Sequence, residues 1–326
     1  MSNTNKKGKI TGIVLKQLQD KPAILFFVLF MILSIAFVPK FSNFDNLFNI
    51  LSQSADLIIL SCGMTFVFLN GSIDFSMTAI LGLSSVFGAK ILVSSDNLIF
   101  NMIAAIIVMV LIGVIIGLIN GLAITRLKMP SFIATMATSL VFAGLAITIT
   151  KSKSVGGIPN VYNQISQGEL LGIPIPIFIM VAVVIACVIL LNKTVFGRRV
   201  IAVGTNQKTA HISGINVKKT ISLIFLISGF LSAVSSIIMT ARLGAGLPAL
   251  GSDMLMDIVA AVVIGGTAVT GGKGNIIGTV IGAVFVITLN NSLNLLQMEW
   301  YLINVCKGAL ILIVALYSAL RTRADY

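Results

Sequence analysis

Long apolar runs separated by short polar connections fill almost the whole chain. Ten of these runs are candidate membrane spans, because a helix needs about 20 apolar residues to cross a bilayer. They are Pro22–Val38, Ala55–Leu69, Phe75–Leu92, Leu98–Ile124, Phe132–Ile149, Ile173–Leu191, Ile221–Met239, Met254–Val269, Ile276–Leu293 and Tyr301–Leu320. The second and eighth are short and polar at one end, so we expect half-helices or re-entrant segments there. The pattern predicts an all-α integral membrane protein with about ten transmembrane helices.

The composition indicates that most of the surface faces lipid rather than water. Hydrophobic residues make up 57% of the 326 positions and charged residues 10%, whereas soluble domains carry roughly 25% charged residues. The mean hydropathy is +1.07. Because apolar runs fill the chain, no length remains for a separate soluble domain. We therefore expect one transmembrane permease domain over residues 1–326, with a basic cytoplasmic tail at residues 1–21.

The basic residues are distributed unevenly between the connections. When successive spans alternate sides, 16 of the 22 basic residues fall on one side of the membrane. Cytoplasmic connections carry an excess of Lys and Arg. We therefore predict a multi-pass protein of the bacterial plasma (inner) membrane, surrounded by membrane lipid, with both termini cytoplasmic. The net charge of +12 does not indicate nucleic-acid binding, because no basic patch alternates with aromatic side chains.

Glycine is concentrated where the apolar runs meet. Two ladders repeat glycine every fourth residue, a spacing that lets membrane helices pack closely. The first ladder is Gly113, Gly117 and Gly121, and the second is Gly274, Gly278 and Gly282. From Gly265 to Gly274 the glycines are so dense that we expect two helices to meet there at a broken corner.

The two ladders also suggest an internal repeat. Each ladder follows a segment that contains one acid, Asp74 or Asp257, and precedes an apolar span that contains a glycine, Gly144 or Gly308. The first unit begins outside and the second inside, so the repeat would be inverted. The alternative is that glycine ladders recur in ordinary helix packing.

Five polar residues close to apolar runs are candidates for the solute path or its hinges. They are Asp74, Ser76, Asn120, Asp257 and Thr267. An ionised carboxylate at membrane depth is costly, so it faces a partner or water. Two structural roles stay open, since Asp74 can cap the following helix and Asn120 can hydrogen-bond a neighbouring helix.

The long connection at residues 192–220 is basic and contains no acid. Asn206 can cap a short helix there, and Ser213 with Gly214 can end it. A short helix with small residues can enter a cleft on another protein. The candidate contact residues are Gly197, Arg198, Gly204, Asn206, Ala210, Ser213, Gly214 and Ile215. The alternative is an ordinary basic connection, which explains the charges but not the capping residues.

The residue types offer little for catalysis or for binding a metal or nucleotide. His211 is the only histidine, and the three cysteines lie in apolar runs without the spacing of metal ligands. Gly272-Lys273 resembles part of a phosphate-binding loop, but Thr267 and Gly274 replace residues that such a loop requires. We therefore expect that the chain is not an enzyme and holds neither metal nor cofactor.

Three segments resemble signatures of the bacterial monosaccharide ABC transporter permeases of the ribose, xylose and galactose type. Gly71-Ser-Ile-Asp-Phe-Ser-Met-Thr78 is similar to the family's Gly-Gly-Ile-Asp-Leu-Ser-Val-Gly. Arg126-Leu-Lys-Met-Pro-Ser-Phe-Ile-Ala-Thr135 is similar to its Leu-Lys-x-Pro-x-Phe-Ile-Ala-Thr-Leu-Gly. In residues 197–215 the positions that agree with the family's cytoplasmic pattern are Ala202, Gly204, Asn206, Ala210, Ser213, Gly214 and Ile215. The resemblance covers roughly Asn46 to Leu320.

The resemblance implies the permease subunit of an ABC importer for a monosaccharide or a similar small polar solute. It also implies a cytoplasmic ABC ATPase that binds the ATP, an extracytoplasmic solute-binding protein, and a second permease subunit in a homodimer. In such permeases the 192–220 connection is the coupling loop that transmits ATPase motion.

Two alternatives remain open. Related permeases for nucleosides, autoinducer-type furanones or branched-chain amino acids share the architecture. An ion-coupled secondary transporter would use Asp74 or Asp257 as its coupling site, although the long acid-free connection argues against it.

Overall fold

The computed structural model describes residues 22–94, 97–309 and 312–313, and these residues are almost entirely helical. The helices are α1 (Pro22–Phe37), α2 (Phe44–Leu69), α3 (Ser76–Leu92), α4 (Leu98–Arg126), α5 (Ser131–Thr150), α6 (Asn160–Gln167), α7 (Ile175–Asn192), α8 (Val195–Thr205), α9 (Gln207–Ile212), α10 (Val217–Leu243), α11 (Met254–Ile264) and α12 (Ile276–Leu295). Residues 300–309 are also helical. A two-residue antiparallel pair, β1 (Glu169–Leu170) and β2 (Ile173–Pro174), lies before α7.

Short polar side chains define where several helices begin. The side chains of Asn97, Thr194, Asn206, Asn216 and Asn275 each accept a hydrogen bond from a backbone N–H in the first turn of α4, α8, α9, α10 and α12. These bonds satisfy donors that a helix start leaves without an intrahelical partner. At the other end, α10 stops at Gly244, whose φ of 62° continues the chain in a left-handed conformation.

Six described helices are long and apolar enough to cross a membrane, namely α2, α4, α5, α7, α10 and α12. The apolar helices Phe27–Phe37, α3 and α11 are shorter. A multi-span helical membrane protein is therefore confirmed. The tail at residues 1–21 and most of the predicted last span lie outside the described residues.

The structure differs from the sequence prediction at the second span. We expected a half-helix at Ala55–Leu69, but α2 is one continuous helix of 26 residues that begins at Phe44. Its polar first turns do not break it, because Asn46 exchanges two hydrogen bonds with Asn291 of α12, at 2.9 and 3.1 Å. The eighth span is short, since α11 has 11 residues and ends before Gly265.

Helix α2 lies at the centre of the bundle. Of its most apolar 18 residues, 83% are buried, whereas the corresponding windows of α4, α5 and α7 are 17–28% buried. Helices α7, α10, α11 and α12 all pack on α2. The outer faces of α4, α5 and α7 are therefore largely open in the single chain.

The first glycine ladder allows direct backbone contact between α4 and α10. A Cβ atom on Gly113 would lie 2.2 Å from the carbonyl oxygen of Gly229, and a Cβ on Gly229 would lie 2.1 Å from that of Gly113. One turn along, a Cβ on Gly117 would lie 2.4 Å from the Phe225 oxygen. Gly121 lies against Ser222 of the same helix, where a Cβ would come within 2.8 Å. Any side chain at these positions would push the helices apart.

The second ladder packs against a different neighbour. Cβ atoms on Gly278 and Gly282 would each lie 2.1 Å from the carbonyl oxygens of Gly265 and Ala261, at the end of α11. Gly274 lies against the Thr267 side chain, which a Cβ would approach to 2.6 Å. In the connecting corner Gly266, Gly271 and Gly272 have φ of 84°, 92° and 77°, a region that side chains rarely adopt.

The connections gather at two ends of the bundle. At the basic end, residues 70–75, 127–130, 193–216 and 265–275 lie close together: the Gly272 N–H donates to the Leu69 oxygen at 2.9 Å, and one open groove touches the first three of these segments. At the opposite end, Val155 and Gly246 exchange backbone hydrogen bonds of 2.8 and 2.9 Å. Alternating spans predict this same grouping of connections.

The Gly113–Gly229 contact predicts that a leucine at Gly113 destabilises the protein far more than a leucine at a glycine with open space around it. Gly113→Leu should lower the detergent-stable yield and the thermal unfolding midpoint, because overpacking costs about 1–3 kcal/mol and here the obstacle is backbone. Gly308→Leu in the helix at residues 300–309 is the matched control, since a Cβ there meets nothing within 4 Å. Fluorescence-detected size-exclusion chromatography measures both variants. Equal yields for the two would contradict the close contact.

Candidate functional site

A buried hydrogen-bonded network surrounds Asp74, just before α3. One carboxylate oxygen accepts from the Ser76 backbone N–H at 2.9 Å and from the Ser76 hydroxyl at 2.6 Å. The other accepts from the Ser228 hydroxyl on α10 at 2.6 Å. The Asn120 amide on α4 donates to the Ser76 hydroxyl at 2.8 Å, and the Thr138 hydroxyl on α5 donates to the Asn120 carbonyl, also at 2.8 Å. The network therefore joins α3, α4, α5 and α10.

Three of the five predicted path residues, Asp74, Ser76 and Asn120, are thus brought into one cluster. All three are fully buried, so none lines an open path in this conformation. Among the described residues, no lysine or arginine lies within salt-bridge distance of Asp74. Its carboxylate is held instead by hydroxyls and by the N–H at the start of α3, where a helix favours negative charge.

The other two predicted path residues lie elsewhere. Asp257, in the first turn of α11, pairs with Lys307, whose ammonium nitrogen is 3.0 Å from a carboxylate oxygen. Thr267 is buried in the glycine corner beside Gly274, and its hydroxyl has no hydrogen-bond partner among the described residues. The five candidates therefore occupy three separate places rather than one site.

The predicted contact loop folds into α8 and α9 at the basic end. Gly197 lets α8 turn tightly back on α7, because a Cβ there would lie 1.8 Å from the Leu191 oxygen. Arg198 is exposed on the first turn of α8. Gly204 lies directly on the end of α2, where a Cβ would come within 1.7 Å of the Leu69 oxygen. Helix α8 is therefore seated against the segment that leads to Asp74.

Helix α9 is a short, well-capped helix. The Asn206 side chain accepts from the Thr209 N–H at 3.0 Å, and Ala210 is the buried residue of the helix. Ser213 and Ile215 close its end, since their N–H groups donate to the carbonyls of Thr209 and Ala210 at 3.0 Å. Gly214, with a φ of 81°, has open space around it.

An open groove of about 900 Å³ lies beside α9 at the basic end. Its walls include Gly71 and Ser72, the corner before α5, and the segment from Gln207 to Ile221. Lys128, Lys208 and Lys218 line it, and no acid does. The groove therefore offers positive charge next to apolar helix ends.

A second buried carboxylate, which the sequence patterns did not reveal, lies at the opposite end. Asp56 of α2 is 2% exposed and forms an ion pair with Arg242 of α10. Arg242 also donates to the Ser52 carbonyl at 2.9 Å, while its own carbonyl accepts from the Gln167 side chain at 3.3 Å. The sequence feature that could have identified Asp56 is an acidic residue inside the apolar run Ala55–Leu69. Among the described residues, no group of three metal-ligating side chains is assembled.

The Asp74 network predicts an order of stabilities. Asp74→Leu removes the acceptor of three buried donors, so it should lower the free energy of unfolding by about 2–3 kcal/mol. Asp74→Asn should cost less, because its amide can donate to the Ser228 hydroxyl while its oxygen still accepts from Ser76. Asp253→Leu, at an exposed position before α11, is the control and should change little. Thermal unfolding in detergent measures the series, and equal midpoints for all three variants would contradict the network.

Comparison with known proteins identifies the chain's relatives over nearly its full length. The family model described as "Branched-chain amino acid transport system / permease component" matches residues 46–315. The ribose import permease protein of Bacillus subtilis is 43% identical over 297 residues, which cover 90% of this chain and 91% of that protein. No solved structure matches the chain.

Two Escherichia coli permeases extend the comparison. The ribose import permease protein is 35% identical over 303 residues, covering 92% of this chain and 93% of the relative. The L-arabinose transport system permease protein is 32% identical over 301 residues, covering 92% and 90%. The resemblance stated from the sequence motifs is confirmed: the chain belongs to this family of ABC transporter permeases.

Proposed function

We propose that the chain is the transmembrane permease subunit of an ABC importer that carries a monosaccharide or a similar small polar solute into the cell. The observation that carries this proposal is the near-full-length match to ribose and L-arabinose permeases at 32–43% identity. In the proposed complex a separate cytoplasmic ATPase binds and hydrolyses ATP. This chain then needs no cofactor or metal of its own and is not an enzyme.

The proposed topology has about ten spans, with the basic end and both termini in the cytoplasm of a bacterium. The gathering of lysines and arginines at that end supports it, because cytoplasmic connections are enriched in these residues. The single permease domain would then extend over residues 1–326. The opposite end, at residues 151–174 and 244–253, would receive the extracytoplasmic binding protein.

An inverted repeat is part of the proposal. Its first unit is α2 to α5, and its second is α10 to α12 followed by the helix at residues 300–309. In each unit a short helix, α3 or α11, has an acid at or near its start. Packing between the units is reciprocal, because α4 of the first packs on α10 while α12 of the second packs on α2. The two glycine ladders pack on non-equivalent helices, the first on α10 and the second on the end of α11. The arrangement of the helices therefore supports the repeat, whereas the spacing of the ladders does not.

The proposed coupling surface is α8 with α9. Gly204 seats α8 on the end of α2, and Gly272 of the glycine corner donates to the same Leu69 carbonyl. A displacement of α8 and α9 would therefore act on the Leu69 end of α2, which leads to Asp74, and on the α11–α12 corner. Ile212, at the end of α9, is 86% exposed. A large apolar side chain presented on a small capped helix suits insertion into a cleft of the ATPase.

The second permease subunit would pack on a largely apolar outer surface. Helix α5 is the most exposed of the long helices, with 17% of its most apolar window buried, and Gly144 on it has open space around it. Lipid would cover the remaining apolar faces of α4 and α7. A homodimer is the arrangement we propose.

Branched-chain amino acids are the second candidate solutes, because the matching family carries that description. Uptake by the reconstituted importer separates the candidates. Labelled ribose should enter proteoliposomes and be competed by excess L-arabinose more strongly than by excess leucine. Preferential uptake of leucine would replace the monosaccharide proposal with the second candidate.

The coupling surface predicts the effect of Ile212→Glu. An added carboxylate on the exposed end of α9 should prevent seating in an apolar cleft. We expect loss of ATPase co-purification and of solute-stimulated ATP hydrolysis, with unchanged folded yield. Leu296→Glu is the matched control, because Leu296 is an exposed leucine at the opposite end, outside the segments proposed to receive the binding protein. If Ile212→Glu retains full stimulation, α9 is an ordinary cytoplasmic connection.

A further inference from the structure

An ion pair between two helices of predicted membrane spans stands apart from the Asp74 network and from the proposed coupling surface. Asp257 of α11 and Lys307 of the last described helix approach to 3.0 Å. We propose that this pair, with Asn304 beside it, is a solute-contacting site that hydrogen-bonds a neutral polyhydroxylated molecule in the translocation path. This inference rests on the proposed function and adds the residues that would recognise the solute.

The pair lies below the end of the bundle rather than at its surface. Asp257 is three residues into α11, and Lys307 is seven residues beyond the start of its helix at position 300. At a rise of 1.5 Å per residue these positions are about 5 and 10 Å along their helices. Both helices lie in predicted spans, Met254–Val269 and Tyr301–Leu320, so we place the charges within the bilayer, where lipid cannot solvate them.

The pair is partly open, unlike the other membrane-depth carboxylates. The Lys307 and Asp257 side chains are 19% and 15% exposed, whereas Asp74 is 0% and Asp56 is 2% exposed. Charges with an open edge at membrane depth face water or a polar partner, because lipid contact would be costly. The open edge of this pair therefore indicates a hydrated space.

The helix that carries Lys307 has a polar flank and an apolar flank. Asn304 and Gly308 are exposed next to Lys307, at the i and i+4 positions of one turn. A Cβ on Gly308 would meet nothing within 4 Å. Leu302, which is 42% exposed, lies on the other side of the helix. Lipid suits the apolar flank, and an aqueous path suits the flank of Asn304 and Lys307.

The chemistry of this flank fits an uncharged polyol. A carboxylate accepts from hydroxyl donors, an ammonium donates to hydroxyl oxygens, and an asparagine amide does both. The paired charges cancel, so a neutral solute can bridge them without leaving an unpaired charge behind. Because both charges already have partners, the contact is weak and reversible, as passage through a path requires.

Cysteine accessibility tests whether this flank faces water. Asn304→Cys and Leu302→Cys are placed in a chain whose three native cysteines are replaced, and both variants leave the ion pair intact. A membrane-impermeant ammonium-bearing thiol reagent should modify Asn304→Cys about tenfold faster than Leu302→Cys, because thiolates form in water. Excess ribose should slow the reaction at Asn304→Cys. Equal rates, or a rate that ribose does not change, would overturn the inference.

Exchanging the two charges distinguishes contact with solute from a purely structural role of the ion pair. Asp257→Lys combined with Lys307→Asp keeps the pair and the net charge but reverses the donor and acceptor positions. We expect wild-type folded yield with a KM for ribose raised about tenfold, equivalent to 1.4 kcal/mol. An unchanged KM would show that the pair only joins two helices.

Uptake by the wild-type complex separates this inference from the proposed function. If wild type transports ribose but ribose protection and the KM shift are absent, the inference fails and the proposed function stands. If wild type transports no monosaccharide, the proposed function fails as well.

Discussion

The structure depends on the backbone contact between α4 and α10 at Gly113 and Gly229. Lipid tails are as apolar as the helix surfaces, so close packing rather than the hydrophobic effect brings membrane helices together. The same contact positions the polar groups. Ser228 precedes Gly229, and Asn120 precedes Gly121, so the approach of the two backbones carries a hydroxyl and an amide to the Asp74 cluster. A larger residue in the ladder would disturb the network as well as the packing.

At the basic end, backbone contacts join α2 to the glycine corner and to α8. The Leu69 carbonyl accepts from Gly272 and lies against Gly204, so α2, the glycine corner and α8 meet around one peptide group. Three segments that are far apart in sequence therefore contact one another at this point. In the proposed importer, this is where a displacement of α8 and α9 by the ATPase would reach the helices that enclose the solute.

Local patterns in the sequence predicted the apolar spans, the short α11, the glycine corner and the capping of α9. They did not reveal that α2 continues through its polar first turns, because Asn291 supplies the partner for Asn46 from 245 residues away. Ser228, Arg242 and Lys307 were missed for the same reason, since their importance depends on which helices touch. Asp257 was singled out with Asp74, yet the fold gives one a lysine partner and the other only uncharged donors.

ATP dependence of uptake tests the central claim most directly. The permease is reconstituted with its ATPase and binding protein in proteoliposomes, and labelled ribose uptake is followed with ATP, with a non-hydrolysable ATP analogue, and with ionophores that collapse ion gradients. The account predicts uptake that requires hydrolysable ATP and survives the ionophores. Uptake that persists without ATP and disappears with the ion gradient would contradict it and identify an ion-coupled transporter.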